Sequence, residues 1–213
     1  RGDHKKALVH MAIPHGLGLL SIILFNFVDT IYIAQLGVKP LSAISFTFPI
    51  ILTILSIAIG LSVGTTSLVS QAIGKGDRNL AKLRTTYSLI IAFIVVLVVS
   101  CLGLASISPV FRFLGATDDL LGYIGDYMII WYGSMVFVVI PIVGNGAIRA
   151  TGDAKTPGII MLISGLSNII LDPLLIFGIG PFPRLEVTGA AIATAISYTL
   201  TTVAGLWILL KRD

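Results

Sequence analysis

The sequence predicts an all-α polytopic membrane protein, a bundle of six transmembrane helices. Of its 213 residues, 56% are hydrophobic and only 11% are charged, whereas a soluble domain of this size would carry about 25% charged residues. Its apolar runs are as long as transmembrane helices. The strands of an outer-membrane barrel would instead give alternating segments of about ten residues. The membrane-spanning elements are therefore predicted to be helices.

Six apolar segments are predicted to cross the membrane and to form a single six-helix lobe over residues 1–213. The turns between them are polar and rich in Gly, and none is long enough to divide the chain into two domains. These turns are residues 37–40, a long basic link over 74–84, and residues 115–119, 149–155 and 180–184. The predicted spans are residues 8–35, 41–72, 86–108, 121–144, 157–178 and 187–210.

The basic residues predict the orientation of the chain in the membrane. If the N- and C-termini are cytoplasmic, all 14 Lys and Arg residues except Lys39, Arg112 and Arg184 fall on the inner side. This excess follows the positive-inside rule. We therefore expect a multi-pass protein of the plasma (cell inner) membrane. The basic residues are scattered through short loops, so the charge does not indicate binding to nucleic acid.

Two aspartates, Asp29 in the first span and Asp172 in the fifth, lie in apolar segments without a Lys or Arg to neutralise them. An ionisable side chain in hydrocarbon costs at least a few kcal/mol, so its default explanation is functional. Asp29 precedes Gly37, and Asp172 precedes Gly180, by eight residues each. At about 1.5 Å per residue, both acids are predicted to lie about 10 Å below the outer ends of their helices.

Other oxygen-bearing groups are predicted at the same depth. Asn168 precedes Asp172 by one helical turn and shares its face of the helix, and residues 190–194, which include Ala190 and Thr194, enter the sixth span at a similar level. Carboxylate, amide and hydroxyl oxygens suit a proton or an alkali cation and do not suit zinc. The alternative is that two neutral acids join helices by hydrogen bonds, which Ser, Thr or Asn would do at lower cost.

No pattern in the sequence indicates catalysis or a cofactor. The glycine-rich turn that begins at Gly74 lacks the G-x-x-x-x-G-K-[ST] pattern of a phosphate-binding loop. No Ser-His-Asp, Cys-His or zinc-binding arrangement is present in the sequence. We therefore expect a protein that is not an enzyme and that uses H⁺ or Na⁺ as a coupling ion.

Aromatic residues near the acids are candidate contacts for a substrate. Tyr127 and Trp131 could stack on a flat cation or, with Tyr132, form an aromatic belt at the membrane surface. Phe25 and Asn26 precede Asp29 by about one turn and are further candidates. Pro14 gives the first helix a place to bend, because proline removes a backbone donor.

Taken together, these residues resemble the multidrug and toxic compound extrusion (MATE) transporters, most closely their DinF-like branch. The matching stretches follow one another along the whole chain and match the N-terminal lobe of these proteins only. They are Pro14 with FNFVDT at 25–30, QLG at 35–37 with LSA at 41–43, GLSVG at 60–64, SQAIGKGD at 70–77, RATGD at 149–153 with Pro157, NIILDP at 168–173 and GAAIATAIS at 189–197.

The resemblance implies a fold of twelve helices in two six-helix lobes around a central cavity, and export of cationic, often aromatic compounds in exchange for H⁺ or Na⁺. It implies that Pro14 is the bending proline and that Phe25 replaces a Tyr of some relatives, which removes one hydroxyl. It also implies a second six-helix lobe, in the same native chain, in a separate chain or in a second copy. The implied ion-binding residues, which would also hold Na⁺, are Asp29, Asn168, Asp172, Thr194 and the Ala190 carbonyl.

We therefore interpret the chain as the N-terminal lobe of an H⁺- or Na⁺-coupled antiporter that exports small organic cations across the lipid bilayer. A first alternative, a lipid-linked oligosaccharide flippase of the same superfamily, would need several cations in mid-span to meet a pyrophosphate, and the sequence places none there. A second alternative is a non-transporting partner or scaffold lobe. A channel is a third and would conduct without exchange stoichiometry.

Overall fold

The computed structural model describes residues 16, 20 and 23–211, and in this part of the chain the secondary structure consists of six α-helices. Five of them are long and apolar enough to cross a membrane, and the sixth is a shorter apolar helix. The all-helical membrane fold is thus confirmed. The helices are α1 (Ile23–Ala34), α2 (Val38–Gly74), α3 (Arg78–Phe113), α4 (Asp118–Ala150), α5 (Lys155–Ile176) and α6 (Glu186–Lys211).

The long basic link predicted over residues 74–84 is wrong, because α3 already begins at Arg78. Asp77 caps this helix, and its side chain accepts a hydrogen bond from the Leu80 amide at 2.8 Å. Such a cap satisfies one of the orphan donors of the first turn. The chain turns sharply just before the cap, at Gly76 (φ 74°). Helices α2 and α4 begin before their predicted spans and include Lys39 and Asp118. Most of residues 8–22 of the first predicted span lie outside the described residues.

Helix α4 lies at the centre of the bundle. It packs against α2, α3 and α6, and 61% of its most apolar segment is buried, compared with 17% for α3. Met128, Met135, Val139 and Val143 supply much of its buried surface. A helix that is apolar on all sides is expected to be surrounded by other helices. Polar side chains on the buried faces of α4, such as Ser134 and Asn145, therefore meet other helices.

Hydrogen bonds from neighbouring helices satisfy the backbone of α4 where proline interrupts it. Pro141 has no amide proton, so it leaves the carbonyl group of Phe137 without its helical donor. Thr202 of α6 reaches this gap, because its Oγ1 lies 2.8 Å from the Phe137 carbonyl oxygen and 2.9 Å from that of Tyr198, so its single proton is shared between the two acceptors. On the other side, Ser62 Oγ of α2 donates to the Ile142 carbonyl at 2.6 Å.

A close contact between backbones joins the end of α5 to the start of α6. A Cβ atom added to Gly189 would lie 2.5 Å from the carbonyl oxygen of Leu175, so only glycine fits at this position. The Leu185 amide donates to the same carbonyl at 2.9 Å. This approach brings the first turns of α6 beside the last turns of α5, where Asp172 lies.

Candidate functional site

Three of the predicted site residues meet at the interface between α5 and α6. Asn168 and Asp172 are 2% and 0% exposed. The Asn168 side-chain amide, Nδ2, donates to Asp172 Oδ1 at 3.4 Å and to Thr194 Oγ1 at 3.3 Å. Both distances are at the long end for hydrogen bonds. The amide group therefore links the acid of α5 to the hydroxyl of α6, and Ala190 is buried one turn before Thr194.

Asp29 of α1 completes the group. A negative charge on its carboxyl group would repel one on Asp172. A common ion-binding site for the two acids stays a prediction. Among the described residues, no hydrogen-bond partner contacts the buried oxygens Asp29 Oδ1, Asp172 Oδ2 and Asn168 Oδ1. Burying such a group without a partner costs about 1–3 kcal/mol, and more if it is charged. The cluster thus retains oxygen atoms able to bind a further group.

The chemistry of these oxygens limits what they could bind. Hard oxygen ligands suit H⁺, Na⁺ or another s-block cation, whereas zinc prefers nitrogen and sulfur. Within residues 23–211 the structure contains no group of three or more His, Cys, Asp or Glu side chains that could hold a metal ion. The residues present therefore fit a proton or a small monovalent cation bound by two carboxylates and neutral oxygens.

Tyr127 of α4 is buried, and its phenol lies within range of the charges of Asp29 and Asp172. Trp131, one turn further along α4, is also buried, with Tyr132 at a ring-centroid distance of 5.7 Å. The alternative that Tyr127, Trp131 and Tyr132 form an aromatic belt at the membrane surface is therefore wrong, because α4 is the central helix and turns all three inward.

The other predicted residues occupy different environments. Phe25 is buried, whereas its neighbour Asn26 is exposed on α1. Their predicted contact with substrate stays a prediction, since successive residues of a helix point in different directions. Pro14 lies outside the described residues, so its role in bending the first helix also stays a prediction.

Sequence reasoning missed Ser197 of α6. Its buried Oγ has no hydrogen-bond partner in the part of the chain that the structure describes. Ser197 follows Thr194 by three residues, and residues at this spacing share one helix face. That spacing was the signal that could have identified Ser197.

Comparison with known proteins places the chain in a family. The MatE family model matches residues 14–174, a range that includes Asp29, Asn168 and Asp172. The chain is 44% identical over 208 residues to a Shewanella oneidensis protein described as an FAD transporter, covering 97% of this chain and 46% of the relative. It is 31% identical over 206 residues to the multidrug export protein MepA of Staphylococcus haemolyticus, covering 96% of this chain and 44% of the relative.

Solved structures are also similar to this chain. A MOP superfamily transporter from Pyrococcus furiosus superimposes with a TM-score of 0.91 at 34% identity, covering 100% of this chain and 46% of that protein. Structures described as MATE in the straight and in the bent conformation give the same TM-score of 0.91, so the likeness selects neither state.

The chain spans about half the length of these relatives, as expected for one lobe. Their membership of a transporter family, together with the five candidate membrane spans, agrees with a multi-pass membrane protein that is not an enzyme. The DinF-like branch, the orientation of the termini and the choice of the plasma membrane stay predictions. The chain belongs to the MATE family of transporters.

Proposed function

We propose that this chain is one lobe of an exporter driven by H⁺ or Na⁺, and that Asp29, Asn168, Asp172 and Thr194 bind the coupling ion. One observation carries the proposal: Asp29 and Asp172, acids of two different helices, each keep a buried oxygen that has no hydrogen-bond partner among the described residues. A scaffold lobe would gain nothing from this arrangement, since buried acids are costly.

The packing of α1 supports a mechanism in which ion binding moves this helix. In the described part of α1, only Phe25 and Ile33 are buried, so few contacts hold it against the bundle. A cation or proton in the pocket removes the repulsion between Asp29 and Asp172 and favours an α1 position close to α5. Loss of the ion restores the repulsion. We infer that this change of force, with a bend at Pro14, couples ion entry to release of the substrate outside.

Two classes of compound are candidates for the substrate. Organic cations suit a pocket of acids, and relatives that are 30–31% identical are described as multidrug proteins. FAD is the second candidate, because the relative described as an FAD transporter is 44% identical over almost the whole chain. The two compounds differ in charge: an organic cation could compete directly with the coupling ion for the acids, whereas FAD carries a pyrophosphate that the acids would repel.

The lipid-linked oligosaccharide flippase stays the less supported alternative. A pyrophosphate-linked lipid would need cations within the membrane-spanning segments. In the described helices, the Lys and Arg residues lie near the helix ends, such as Arg112 in the last turn of α3 and Arg149 in that of α4. The middle of each described span offers no such cation.

The exposed face of α2 supports a second six-helix lobe as the missing partner. A stripe of small or polar residues follows this helix at spacings of three and four, whereas the exposed residues of α3 are mostly large and apolar, as expected against lipid. Small residues let membrane helices approach closely. The exposed α2 stripe consists of Ser45, Pro49, Thr53, Ser56, Gly60, Gly64, Ser67 and Gln71.

Transport by the full-length native protein in vesicles tests the proposal. We expect an imposed H⁺ or Na⁺ gradient to drive movement of ethidium or FAD, and Asp29→Asn or Asp172→Asn to abolish it. Asp126→Asn is the matched control, because Asp126 is an exposed aspartate of α4. If both site variants kept gradient-driven transport, ion coupling at this pocket would be wrong. Competition between the two compounds identifies the substrate class.

A further inference from the structure

Ser197 differs from the other hydroxyl residues of α6. Thr199 and Thr201 each donate to the carbonyl group four residues earlier, at 2.7 and 2.9 Å. This local bond is the usual way for a hydroxyl to be satisfied within a membrane helix. Ser197 Oγ makes no such bond within the described residues, although the side chain is only 1% exposed. Its hydroxyl therefore keeps its hydrogen-bonding capacity for a further group.

Helix α5 packs against this part of α6. Ser164 Oγ of α5 donates to the Ser197 carbonyl at 3.5 Å, which places Ser197 opposite the turn between Ser164 and Asn168. One turn away, Asn168 Nδ2 contacts Thr194 Oγ1 at 3.3 Å. Because Nδ2 is engaged with Asp172 and Thr194, the other amide atom, Oδ1, is left without a partner in the described structure.

We propose that Asn168 Oδ1 and Ser197 Oγ form a second, inner binding position for a monovalent cation, Na⁺ or hydronium. It lies one helical turn beyond the acid pair, towards the C-terminal end of α6, which is the predicted cytoplasmic side. This inference rests on the proposed ion coupling and extends it. It assigns a role to Ser197, which the acid pair alone does not require.

The charges around this position give it a defined part in transport. Its own ligands are neutral oxygens, and the titratable groups that face the cluster are Asp29, Asp172, Tyr127 and Tyr198. A neutral position holds a cation more weakly than two carboxylates do. An ion path needs sites that are favourable enough to enter and weak enough to leave. The inner position is therefore a site of lower cation affinity between the acid pair and the cytoplasm.

A fluorescence titration of the full-length native protein in lipid nanodiscs tests this position. The chain has two Trp residues, so Trp207→Phe leaves Trp131 as the only Trp of this lobe. Trp131 is buried one turn from Tyr127, which interacts with both acids. One arm adds NaCl at alkaline pH, and the other lowers the pH in choline chloride. Any Trp outside this lobe is replaced by Phe in all samples.

Two variants remove the Ser197 oxygen. Ser197→Ala removes the ligand, and Ser197→Cys preserves most of the side-chain volume with a sulfur that suits Na⁺ poorly. We expect both to raise the apparent dissociation constant for the coupling ion roughly tenfold, as for loss of one bond to a charged group. A shift in the NaCl arm identifies Na⁺. A shift of about one pH unit in the choline arm alone, which is the same tenfold change, identifies hydronium.

The controls separate this inference from the proposed function. Ser106→Ala should leave both arms unchanged, because Ser106 Oγ donates to the Leu102 carbonyl at 2.6 Å on α3. Asp172→Asn should remove the response altogether. If the Ser197 variants bind the ion with the same apparent dissociation constant as the parent, while Asp172→Asn shows no fluorescence response, the inner binding position is refuted and ion coupling at the acid pair stands. If the parent itself responds to neither ion, both proposals are overturned.

Discussion

Asp29 on α1 and Asp172 on α5 lie close enough for their carboxyl groups to interact electrostatically. Each has one buried oxygen that no described residue contacts by a hydrogen bond. Two negative charges in a medium of low dielectric constant repel strongly, and a cation between them turns that repulsion into attraction to a shared ion. The occupancy of the pocket therefore sets the force between the two helices.

The first prediction concerns stabilisation by the coupling ion. A ligand that binds only the folded state stabilises it by about 2.7 kcal/mol at 100 times its dissociation constant. We expect the melting temperature of the protein to rise with added coupling ion, and Asp172→Asn to abolish this rise because one carboxylate is lost. The measurement is a thermal melt at increasing NaCl, with choline chloride at equal ionic strength as the reference.

The matched control for this melt is Asp126→Asn, an exposed site on α4. It should keep the full ion-dependent rise. An unaltered rise in Asp172→Asn would show that the stabilising ion binds elsewhere. Because ionic strength is held constant, screening of surface charges cannot produce the difference.

The second prediction concerns Gly189. A Cβ at this position would lie 2.5 Å from the Leu175 carbonyl oxygen and 2.9 Å from the Ile176 amide nitrogen. Backbone atoms cannot move aside as a flexible side chain can, so Gly189→Ala should push α6 away from α5. We expect a loss of stability of about 1–3 kcal/mol, as for other overpacked sites, and weaker ion binding as Thr194 withdraws from Asn168.

Gly133→Ala provides the comparison for Gly189→Ala. An added Cβ at Gly133 meets no atom within 4 Å, so alanine should be tolerated or slightly stabilising in this helix. Both variants are measured by denaturation in detergent and by ion titration. Equal stability of the two variants would contradict the close approach of α5 and α6.

The sequence was sufficient to predict the helices, and it predicts a common depth for the two acids, for a physical reason. Hydropathy identifies the membrane spans. Asp29 and Asp172 each lie eight residues before the turn that follows their helix, and because a helix rises by a fixed distance per residue, both are predicted to lie at the same depth in the membrane. The spacing of Asn168 and Asp172 gives their common face. Each of these steps uses distances along one helix, which the chain itself determines.

The surroundings of Tyr127 could not be predicted in the same way. Apolar residues occur both on surfaces that face lipid and on surfaces that face other helices, so the sequence does not identify α4 as the central helix. The face of α4 that meets the acids of α1 and α5 is decided by packing between distant segments. The start of α3 was different, because Asp77 before Arg78 is a recognisable N-cap in the sequence. The basic residues that follow it have low hydropathy, so a prediction based on hydropathy placed the start of the helix too late.

The third prediction concerns the gap that Pro141 leaves in α4. Thr202 Oγ1 lies 2.8 Å from the carbonyl oxygen of Phe137, which lacks a helical donor because residue 141 is proline. Thr202→Val should therefore cost about 1–3 kcal/mol, since it leaves a buried acceptor unsatisfied. In a Pro141→Ala background, the backbone amide gained with the substitution can donate to Phe137, and Thr202→Val should cost less.

A double-mutant cycle of these two changes measures the coupling between them. The free energies of unfolding of the parent, the two single variants and the double variant are compared in one detergent. A coupling energy near zero would show that Thr202 does not compensate for the proline. The proposed compensation predicts that Thr202→Val lowers the free energy of unfolding by about 1 kcal/mol less in the Pro141→Ala background than in the parent.

The fourth prediction concerns the Tyr127 hydroxyl, which interacts electrostatically with both Asp29 and Asp172. A phenol can donate a hydrogen bond to a carboxylate, so Tyr127→Phe should change the affinity of the pocket for its ion while the aromatic ring still fills its place in the core. We expect a change of about threefold to tenfold in the apparent dissociation constant, equivalent to a hydrogen bond of about 0.7–1.4 kcal/mol. Tyr123→Phe, one turn earlier on α4 and only partly buried, is the matched control. Equal ion affinities in the two variants, with both proteins folded, would remove Tyr127 from the site and leave the two acids to bind the ion without it.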